Sequence, residues 1–346
     1  MESWLNNTQG LCSYIATFIP DLSKITTVKP LEGGYSNLTF CLTGKTHNYV
    51  LRQPPPGAKG IKGGHNMERE FMILDKLWQA GFRHIPQVMH FCKDEDIIGT
   101  EFYIMEFVDG QVIRASNFKN YLQKLSPETM KSLAERLCHA QVALHKIDIK
   151  NTNLIAIGKP EGYIERQVKG WTDRYLASQT DDLPIFTVLS EWLQQNLPEE
   201  ISPTLLHNDF KFDNVVLDEI LIEINAILDW EMCTVGDPRM DIGTTLSYWT
   251  EAGDNDFEKS FNVSWLPGCM TRKEYIQMYT SLNPDIDLEN ILYFYVFGLF
   301  KNAVVIQQIY SRYHKGLTQD VRFKHLNQGV KVLFHKAAIA IEKNSI

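Results

Sequence analysis

Paired cysteines and an excess of positive charge are both missing from this sequence of 346 residues. The six cysteines are scattered, without a CxxC pair or a Cys/His cluster, which argues against a structural zinc site and a disulfide framework. Lys and Arg number 34 against 42 Asp and Glu, so the net charge of −8 provides no general basic field for a phosphate backbone. We therefore expect a chain in the reducing cytoplasm that does not bind nucleic acid.

Long hydrophobic runs are missing as well. The most apolar segment, residues 291–300, ends at Lys301-Asn302 and is shorter than the ~20 apolar residues that a membrane-spanning helix needs. Residues 1–7 do not combine a basic start with an apolar run, as a secretory signal would. We interpret residues 291–300 as the buried face of a core helix and expect no membrane partner.

The composition that remains is that of an ordinary globular protein. Hydrophobic residues make up 44% of the chain and charged residues 22%, which is typical of a sequence that folds throughout. A chain of this length suits two lobes better than one small core.

The first part of the chain has the pattern of a β-rich lobe. Alternating apolar residues bounded by turn residues predict strands at 38–42, 49–52 and 102–108. Helical spacing predicts helices at 12–19 and 67–77. Residues 54–64 are rich in Pro and Gly and predict an irregular loop. Since the chain can turn at Asp109-Gly110, we place an N-terminal lobe at residues 1–108.

The rest of the chain, residues 109–346, has the pattern of a mostly helical lobe. Helices are predicted at 127–145, at about 167–177, at 186–196 and from Asp241 to the end. Two short strands are predicted at 214–217 and 222–228. The sequence therefore predicts an α+β, bilobal fold, and cofactor sites favour the cleft of such a fold.

The most informative stretch, residues 206–216, is Leu-His-Asn-Asp-Phe-Lys-Phe-Asp-Asn-Val-Val, and it is followed by Leu228-Asp229-Trp230-Glu231. Magnesium in a kinase takes only one or two oxygen ligands from the protein, and Asn214 and Asp229 fit that role. Asp209 is then the base that reaches the acceptor hydroxyl. The alternative is that Asp209 and Asn214 are ordinary turn residues.

Three elements together resemble the aminoglycoside phosphotransferase and choline kinase superfamily, which shares the protein-kinase fold. They are His207-x-Asp209-x4-Asn214, Leu228-Asp229-Trp230-Glu231 and Gly236-Asp237-Pro238-x2-Asp241. Further segments resemble the kinase-like branch found joined to, or encoded near, certain acyl-CoA dehydrogenases. These are Gly33-Gly34-Tyr35-Ser36-Asn37, Tyr49-Val50-Leu51-Arg52, Arg69-Glu70, residues 162–171 and Phe297-x-Leu299-Phe300. The resemblance covers roughly residues 25 to 340 and implies a bilobal protein-kinase-like fold.

The resemblance also implies an ATP- and Mg2+-dependent phosphotransferase that acts on a hydroxyl of a small molecule. In that role Asp209 is the catalytic carboxylate, and Asn214 and Asp229 bind magnesium. Similarity to the dehydrogenase-associated branch implies a hydroxyacyl-CoA or a related hydroxy acid as acceptor. An aminoglycoside is the alternative acceptor, and a nucleotide-binding module without catalysis is the alternative function. The oligomeric state stays open.

Arg52 occupies the place where many kinases have a strand lysine that holds the nucleotide phosphates. We expect it to pair with Glu70, because a guanidinium binds carboxylate and phosphate oxygens bidentately. The alternative is a surface arginine in a loose ion pair.

Other nucleotide contacts are expected on the backbone. The residues expected to cover the phosphates are Gly33, Gly34, Ser36 and Asn37, since glycines let amides approach closely. The backbone of Glu106 and Val108 is expected to hydrogen-bond the adenine. Apolar residues beside these two are equally what a core strand needs.

Three neighbouring polar residues have a structural and a catalytic interpretation. We interpret His207 as a support of the loop rather than a catalyst. Asp241 is expected to cap the helix that runs toward Tyr248. Asp237 is the candidate to face the acceptor.

Overall fold

The computed structural model describes residues 3–31, 37–55 and 65–346. The chain divides into two compact units. The first contains residues 1–110 together with 225–233, and the second contains residues 111–224 and 234–346. The predicted loop at 54–64 lies mostly outside the described residues, as do Gly33, Gly34 and Ser36.

The first unit is built on a five-stranded antiparallel sheet in the order β1-β2-β3-β5-β4. Its strands are β1 (Thr27–Pro30), β2 (Leu38–Thr43), β3 (Asn48–Gln53), β4 (Val88–Cys92) and β5 (Phe102–Glu106). The hairpin of β2 and β3 is confirmed, with Leu38 opposite Gln53 and Thr43 opposite Asn48. The sequence did not predict β1 or β4.

Different helices pack on the two faces of this sheet. Helix α1 (Gln9–Ile15) buries Leu11 and Ile15 against a core that includes Leu51. Successive side chains of a strand point to opposite faces, so Arg52 lies on the other side from Leu51. Helix α2 (Met67–Gln79), near the predicted position, packs on β4 and β5. Its N-cap is Asn66, whose side chain accepts from Arg69 N.

The second unit is mainly helical. Its helices are α3 (Pro127–His145), α4 (Tyr163–Ser178), α5 (Pro184–Gln195), α6 (Pro238–Tyr248), α7 (Asp256–Lys259), α8 (Arg272–Leu282), α9 (Ile291–His314) and α10 (Leu326–Lys343). Its short strands are β6 (Thr204–Leu206), β7 (Val215–Leu217) and β9 (Thr234–Gly236), and β8 (Ile224–Ile227) begins at the edge of the unit. Strands β6 and β9 pair with each other in antiparallel orientation. The loop of residues 207–214 lies between them in sequence, and neither strand was predicted.

Helices α6 and α9 approach each other closely because two glycines lie at their contact. A Cβ atom added to Gly243 would lie 2.2 Å from the carbonyl oxygen of Phe294, and one added to Gly298 would lie 2.5 Å from the carbonyl oxygen of Gly243. Only residues without a Cβ permit this spacing. The contact fixes the position of Lys301, which lies one turn beyond Gly298 on α9.

Helix α9 is long and apolar enough to cross a membrane by length and composition alone. However, 83% of its most apolar 18-residue segment is buried within the structure. It packs against α4, α5, α6 and α10. Its apolar residues therefore form the core of the second unit, as the sequence predicted for residues 291–300.

Candidate active site

The first polar group is the Arg52 cluster, which consists of Arg52, Glu70, Asp229 and Glu231. Arg52 Nε lies 3.3 Å from Glu70 Oε2, so the predicted ion pair is present. Arg52 Nη2 also lies 2.8 Å from Asp229 Oδ1 and 3.8 Å from Glu231 Oε2. One guanidinium thus faces three carboxylates, and its own side chain is only 12% exposed.

Burial and charge act in opposite directions within the Arg52 cluster. Burial by itself disfavours a charged guanidinium, but Glu70 and Asp229 together hold the pKa of Arg52 well above its usual range. Burial raises the pKa of Glu70, against the opposing effect of Arg52. Tyr103, opposite Arg52 on β5, also acts to lower the pKa of Glu70. Arg52 is therefore a fixed, permanently charged group, unlike a loose surface arginine.

The Asp229 segment is held in an uncommon conformation. Asp229 has φ +66°, in the left-handed region that few residues other than glycine adopt. Arg69 on α2 donates to the backbone carbonyls of Glu231 and, at 2.5 Å, of Cys233. Asn37 Nδ2 donates to Glu231 Oε2 at 3.1 Å. These contacts hold the segment around Asp229, whose side chain is 29% exposed.

The second polar group is the loop of residues 207–214, in the second unit. Asn214 Nδ2 donates to the backbone oxygen of Asp209 at 2.9 Å and to its Oδ2 at 2.7 Å. Lys211 Nζ lies 3.0 Å from both carboxylate oxygens of Asp209. The sequence predicted separate roles for Asp209 and Asn214, as base and as magnesium ligand, and the structure brings the two side chains into direct contact. Lys211 was not predicted to take part.

The electrostatics of the loop keep Asp209 ionised. Burial acts to raise the pKa of Asp209, but the charge and hydrogen bond of Lys211, with smaller effects of Lys301 and His207, hold it below its usual value. Burial lowers the pKa of Lys211, and Asp209 more than reverses this, so that Lys211 stays protonated. The Lys211 ammonium also lies 4.5 Å from the centroid of the Tyr248 ring. The pair is thus a carboxylate and an ammonium held within one loop.

The Asp241 carboxylate binds the backbone at the start of the loop of residues 207–214. Its carboxylate accepts from the backbone N–H of His207 at 3.2 Å and of Asn208 at 2.5 Å. His145 Nε2 donates to the same carboxylate at 2.9 Å, and Gln141 Nε2 lies at 3.4 Å. Burial would raise the pKa of Asp241, but these hydrogen bonds and the nearby imidazoles hold it below its usual value.

Two expectations for this region were wrong. Asp241 is not the helix cap, because α6 already begins at Pro238 and the cap is Asp237, which accepts from Arg239 N at 2.9 Å. Asp237 does not face an acceptor, because its side chain is fully buried and pairs with Arg239 Nη2 at 2.7 Å. Asp237 thus fixes the start of helix α6, and Asp241 fixes the loop of residues 207–214.

His207 has the contacts of a supporting residue. It is completely buried, and its Nδ1 accepts from the backbone N–H of Asp209 at 3.2 Å. This bond orients the peptide that carries the Asp209 side chain.

The strand expected to hold the base of a nucleotide ends earlier than predicted. Strand β5 ends at Glu106, whose backbone N–H donates to the carbonyl oxygen of Gln87 at 2.9 Å. That N–H is therefore not free for adenine, and only the carbonyl of Glu106 and the backbone of Val108 remain candidates. Val108 lies just beyond the strand and is partly exposed.

Each polar group contains one oxygen of the kind that a hard cation binds. Asp229 uses only Oδ1 toward Arg52, and Asn214 uses only Nδ2 toward Asp209, so one oxygen of each bonds to none of the described residues. Carboxylate and amide oxygens are what magnesium prefers. In the described part of the chain no cluster of three or more His, Cys, Asp or Glu residues forms a metal site. Each of the two residues therefore offers, within its own unit, one oxygen of the kind that a hard cation binds.

A five-stranded sheet with a buried arginine-glutamate pair, together with a helical unit that carries the His-x-Asp-x4-Asn loop, defines a protein of kinase-like fold. A protein from Ralstonia eutropha, assigned as an aminoglycoside phosphotransferase, superposes with a TM-score of 0.77 and 25% identity, covering 96% of this chain and 98% of its own. Choline kinase from Cryptosporidium parvum has a TM-score of 0.66 at 14% identity over 98% of this chain and 97% of its own. An aminoglycoside phosphotransferase complex with GDP and kanamycin has a TM-score of 0.63 at 14% identity, covering 96% of this chain and 99% of its own.

The chain belongs to the phosphotransferase enzyme family APH, which matches residues 27–275. Rat acyl-CoA dehydrogenase family member 11 is 33% identical over 91% of this chain, and mouse acyl-CoA dehydrogenase family member 10 is 33% identical over 81%. The chain spans only 39% and 26% of the length of these relatives. The predicted superfamily, its dehydrogenase-associated branch and the predicted fold class are thereby confirmed, and the chain is a member of a phosphotransferase family with a kinase-like fold.

Several residues of the site were not found by reasoning from the sequence. They are Lys211, Tyr248 and Lys301 around Asp209, and His145 and Gln141 around Asp241. Lys211 had a usable signal, because it is the basic residue two positions after Asp209. The others lie far from their partners in sequence and carry no local signal.

Proposed function

We propose that this chain is an ATP- and Mg2+-dependent kinase that phosphorylates a hydroxyl group of a small molecule. The observation that carries the proposal is the state of Asp209. It is an ionised carboxylate, fixed by Asn214 and Lys211, in a loop whose backbone is held by Asp241. An acceptor hydroxyl needs such a group to orient it and to take its proton.

Lys211 and Arg52 supply the fixed positive charge that phosphoryl transfer requires. The transition state is loose and its charge lies on the phosphoryl oxygens, so positioning and neutralisation supply most of the catalysis. Lys211 lies beside the carboxylate that would orient the acceptor. Arg52 would hold phosphate oxygens of the nucleotide, as the strand lysine does in many kinases. Both groups keep their charge at neutral pH.

Magnesium would be held by Asn214 Oδ1 and by the carboxylate of Asp229, with phosphate oxygens and water as the other ligands. When bound, it would neutralise the charge of the nucleotide phosphates. The excess of carboxylates over cations in the Arg52 cluster favours such a cation. Arg52 would meanwhile keep Asp229 in place from its other oxygen.

We propose a hydroxyacyl-CoA or a related hydroxy acid as the acceptor. Support comes from the relatives named as acyl-CoA dehydrogenase family members, which match 81–91% of this chain. An aminoglycoside is the second candidate, since one solved neighbour is a complex with GDP and kanamycin. We propose the cytoplasm as the location, in keeping with six free cysteines.

The proposal is tested by following ADP release from MgATP with a panel of hydroxyacyl-CoAs, hydroxy acids and aminoglycosides. A thermal-shift titration with ATP, GTP and Mg2+ runs in parallel. We expect saturable ADP release with at least one hydroxyacyl acceptor. Nucleotide binding without turnover would instead support a binding module that lacks catalysis. Neither binding nor turnover would reject the proposed function, and turnover of an aminoglycoside alone would reverse the choice of acceptor.

A further inference from the structure

Lys301 is a lysine in the core of the second unit. Its residue is 2% exposed, although lysine is among the side chains least often buried. It lies on α9, one turn beyond the glycine contact with α6, and its Nζ donates to the backbone carbonyl of Asn208. Beyond a small lowering of the pKa of Asp209, Lys301 has no part in the proposed mechanism. A buried ammonium is costly, so its retention needs a reason.

The partner of Lys301 is the residue that sets the direction of the Asp209 loop. Asn208 has φ +64°, in the left-handed region, and it directly precedes Asp209. Its N–H is bound by Asp241 Oδ1 at 2.5 Å from α6, and its carbonyl is bound by Lys301 from α9. Two helices therefore hold the two polar ends of one strained residue. Release of either end allows the peptide to relax and Asp209 to turn.

Lys301 also completes the local charge balance. Its ammonium faces Asp209 and Lys211 from the loop, Asp241 from α6 and Arg174 from α4. The ring centroid of Trp171 lies 5.8 Å away. Asp209 and Asp241 are two buried carboxylates, and Lys211 pairs directly with only one of them. Without Lys301 the buried group would carry excess negative charge, which a low-dielectric interior penalises.

We infer that Lys301 is a positioning residue for phosphoryl transfer, which holds the Asn208 carbonyl and thereby the direction of the Asp209 carboxylate. This inference rests on the proposed function. It assigns Lys301 no contact with the nucleotide or the acceptor. Its loss should therefore lower kcat while leaving the KM for ATP within about twofold.

The protonation state of Lys301 provides a readout that a purely structural residue would lack. Burial lowers its pKa to about 8 from 10.5, against the opposing effect of Asp209 and Asp241. Because this pKa is lower in the folded than in the unfolded chain, raising the pH from about 8 to 10.5 does not reduce global stability through Lys301. A fall in activity in that range would report the loop rather than unfolding.

The experiment measures ADP release from MgATP, with water as the acceptor if no better acceptor is known, from pH 6.5 to pH 9.5. The wild type should lose activity with a midpoint near pH 8. Lys301→Met should lower kcat about 10- to 100-fold at pH 7 and abolish this midpoint. Lys301→Arg, which keeps its charge, should retain activity and move the midpoint upward by about one pH unit or more. Lys315→Met, an exposed lysine at the end of the same helix, serves as the control and should match the wild type.

Hydrogen–deuterium exchange of the peptide 205–214 separates this inference from the proposed function. At pH 7 the peptide should exchange at least about fivefold faster in Lys301→Met than in Lys301→Arg or the wild type. If the wild type releases no ADP but exchange responds in this way, the positioning role stands and the proposed function fails. If the exchange rates and the pH profiles of the folded variants are all alike, Lys301 does not position the loop. Should Lys301→Met not fold, the comparison of Lys301→Arg with the wild type above pH 8 decides in the same way.

Discussion

The Arg52 cluster and the Asp209 loop are both buried charge groups, but their charges are balanced differently. In the first unit one guanidinium faces Glu70, Asp229 and Glu231, and Arg69 binds backbone carbonyls nearby. In the second unit the carboxylates of Asp209 and Asp241 are matched by two lysines. Excess carboxylate suits a site that takes up a cation, and balanced charge suits a site that must hold one carboxylate still. This difference is the reason for the proposal that the first group binds a cation and the second positions a carboxylate.

The largest expected effect is on the second group. Asp209→Asn keeps the shape of the side chain but removes the charge that orients the acceptor and takes its proton. We expect kcat for ADP release to fall about 10³-fold while binding of MgATP in a thermal-shift assay is retained. Asp218→Asn, in the turn after β7, is the matched control and should keep wild-type kcat. Activity of Asp209→Asn within tenfold of the wild type would remove Asp209 from the chemistry.

The next effect tests the cation expected at the first group. Asp229→Asn should raise the Mg2+ concentration needed for half-maximal activity about 100-fold, because a charged oxygen ligand is lost. Glu231→Gln makes the same charge change in the same cluster and should raise it less than tenfold. Equal effects of the two substitutions would show that only total charge matters, and that Asp229 is not a ligand.

A third substitution tests whether the charge balance around the Asp209 loop also stabilises the folded chain. Asp241→Asn leaves donors from His145, His207 and Asn208 facing an amide, and should cost about 2 kcal/mol of unfolding free energy at pH 7. The pKa of Asp241 is lower in the folded chain than its ordinary 3.8, so its contribution is present above pH 3.8 and is lost as the pH falls below it. Urea unfolding at pH 7 and pH 3 should therefore show the difference shrinking in acid. Asp285→Asn, exposed, should change neither value.

The smallest expected effect concerns the replacement of a kinase lysine by arginine. Arg52→Lys keeps the charge. However, the single ammonium group of lysine cannot replace both guanidinium contacts, that of Nε with Glu70 and that of Nη2 with Asp229. We expect about tenfold weaker binding of MgATP by calorimetry, with the fold intact. Arg83→Lys, exposed in the same unit, is the control. Unchanged binding of MgATP in Arg52→Lys would favour the alternative that Arg52 only forms ion pairs and does not contact the nucleotide.

The comparison also explains which parts of the site were predictable. Asp209 and Asn214 are five positions apart in one loop, and local spacing was enough to predict separate roles for them, as base and as magnesium ligand. The pair of Arg52 and Glu70 was also predicted, since the strand lysine that Arg52 replaces pairs with a helix glutamate in many kinases. Asp241 was given the wrong task, because capping is a local rule and its actual partners lie on α3 and in the loop. Strands β6 and β9 have three residues each, too few for a clear alternating pattern.

The sequence by itself determined the α+β class and most helices, because these depend on local spacing and composition, and its three motifs carried the resemblance to the superfamily. Only the tertiary structure decided how the charges are shared. Arg52 contacts a second carboxylate 177 positions away, and Lys301 reaches a carbonyl 93 positions away. The placement of Lys301 depends on how closely α6 and α9 pack at Gly243 and Gly298. Such contacts follow from the packing of whole helices, which no short stretch of sequence encodes.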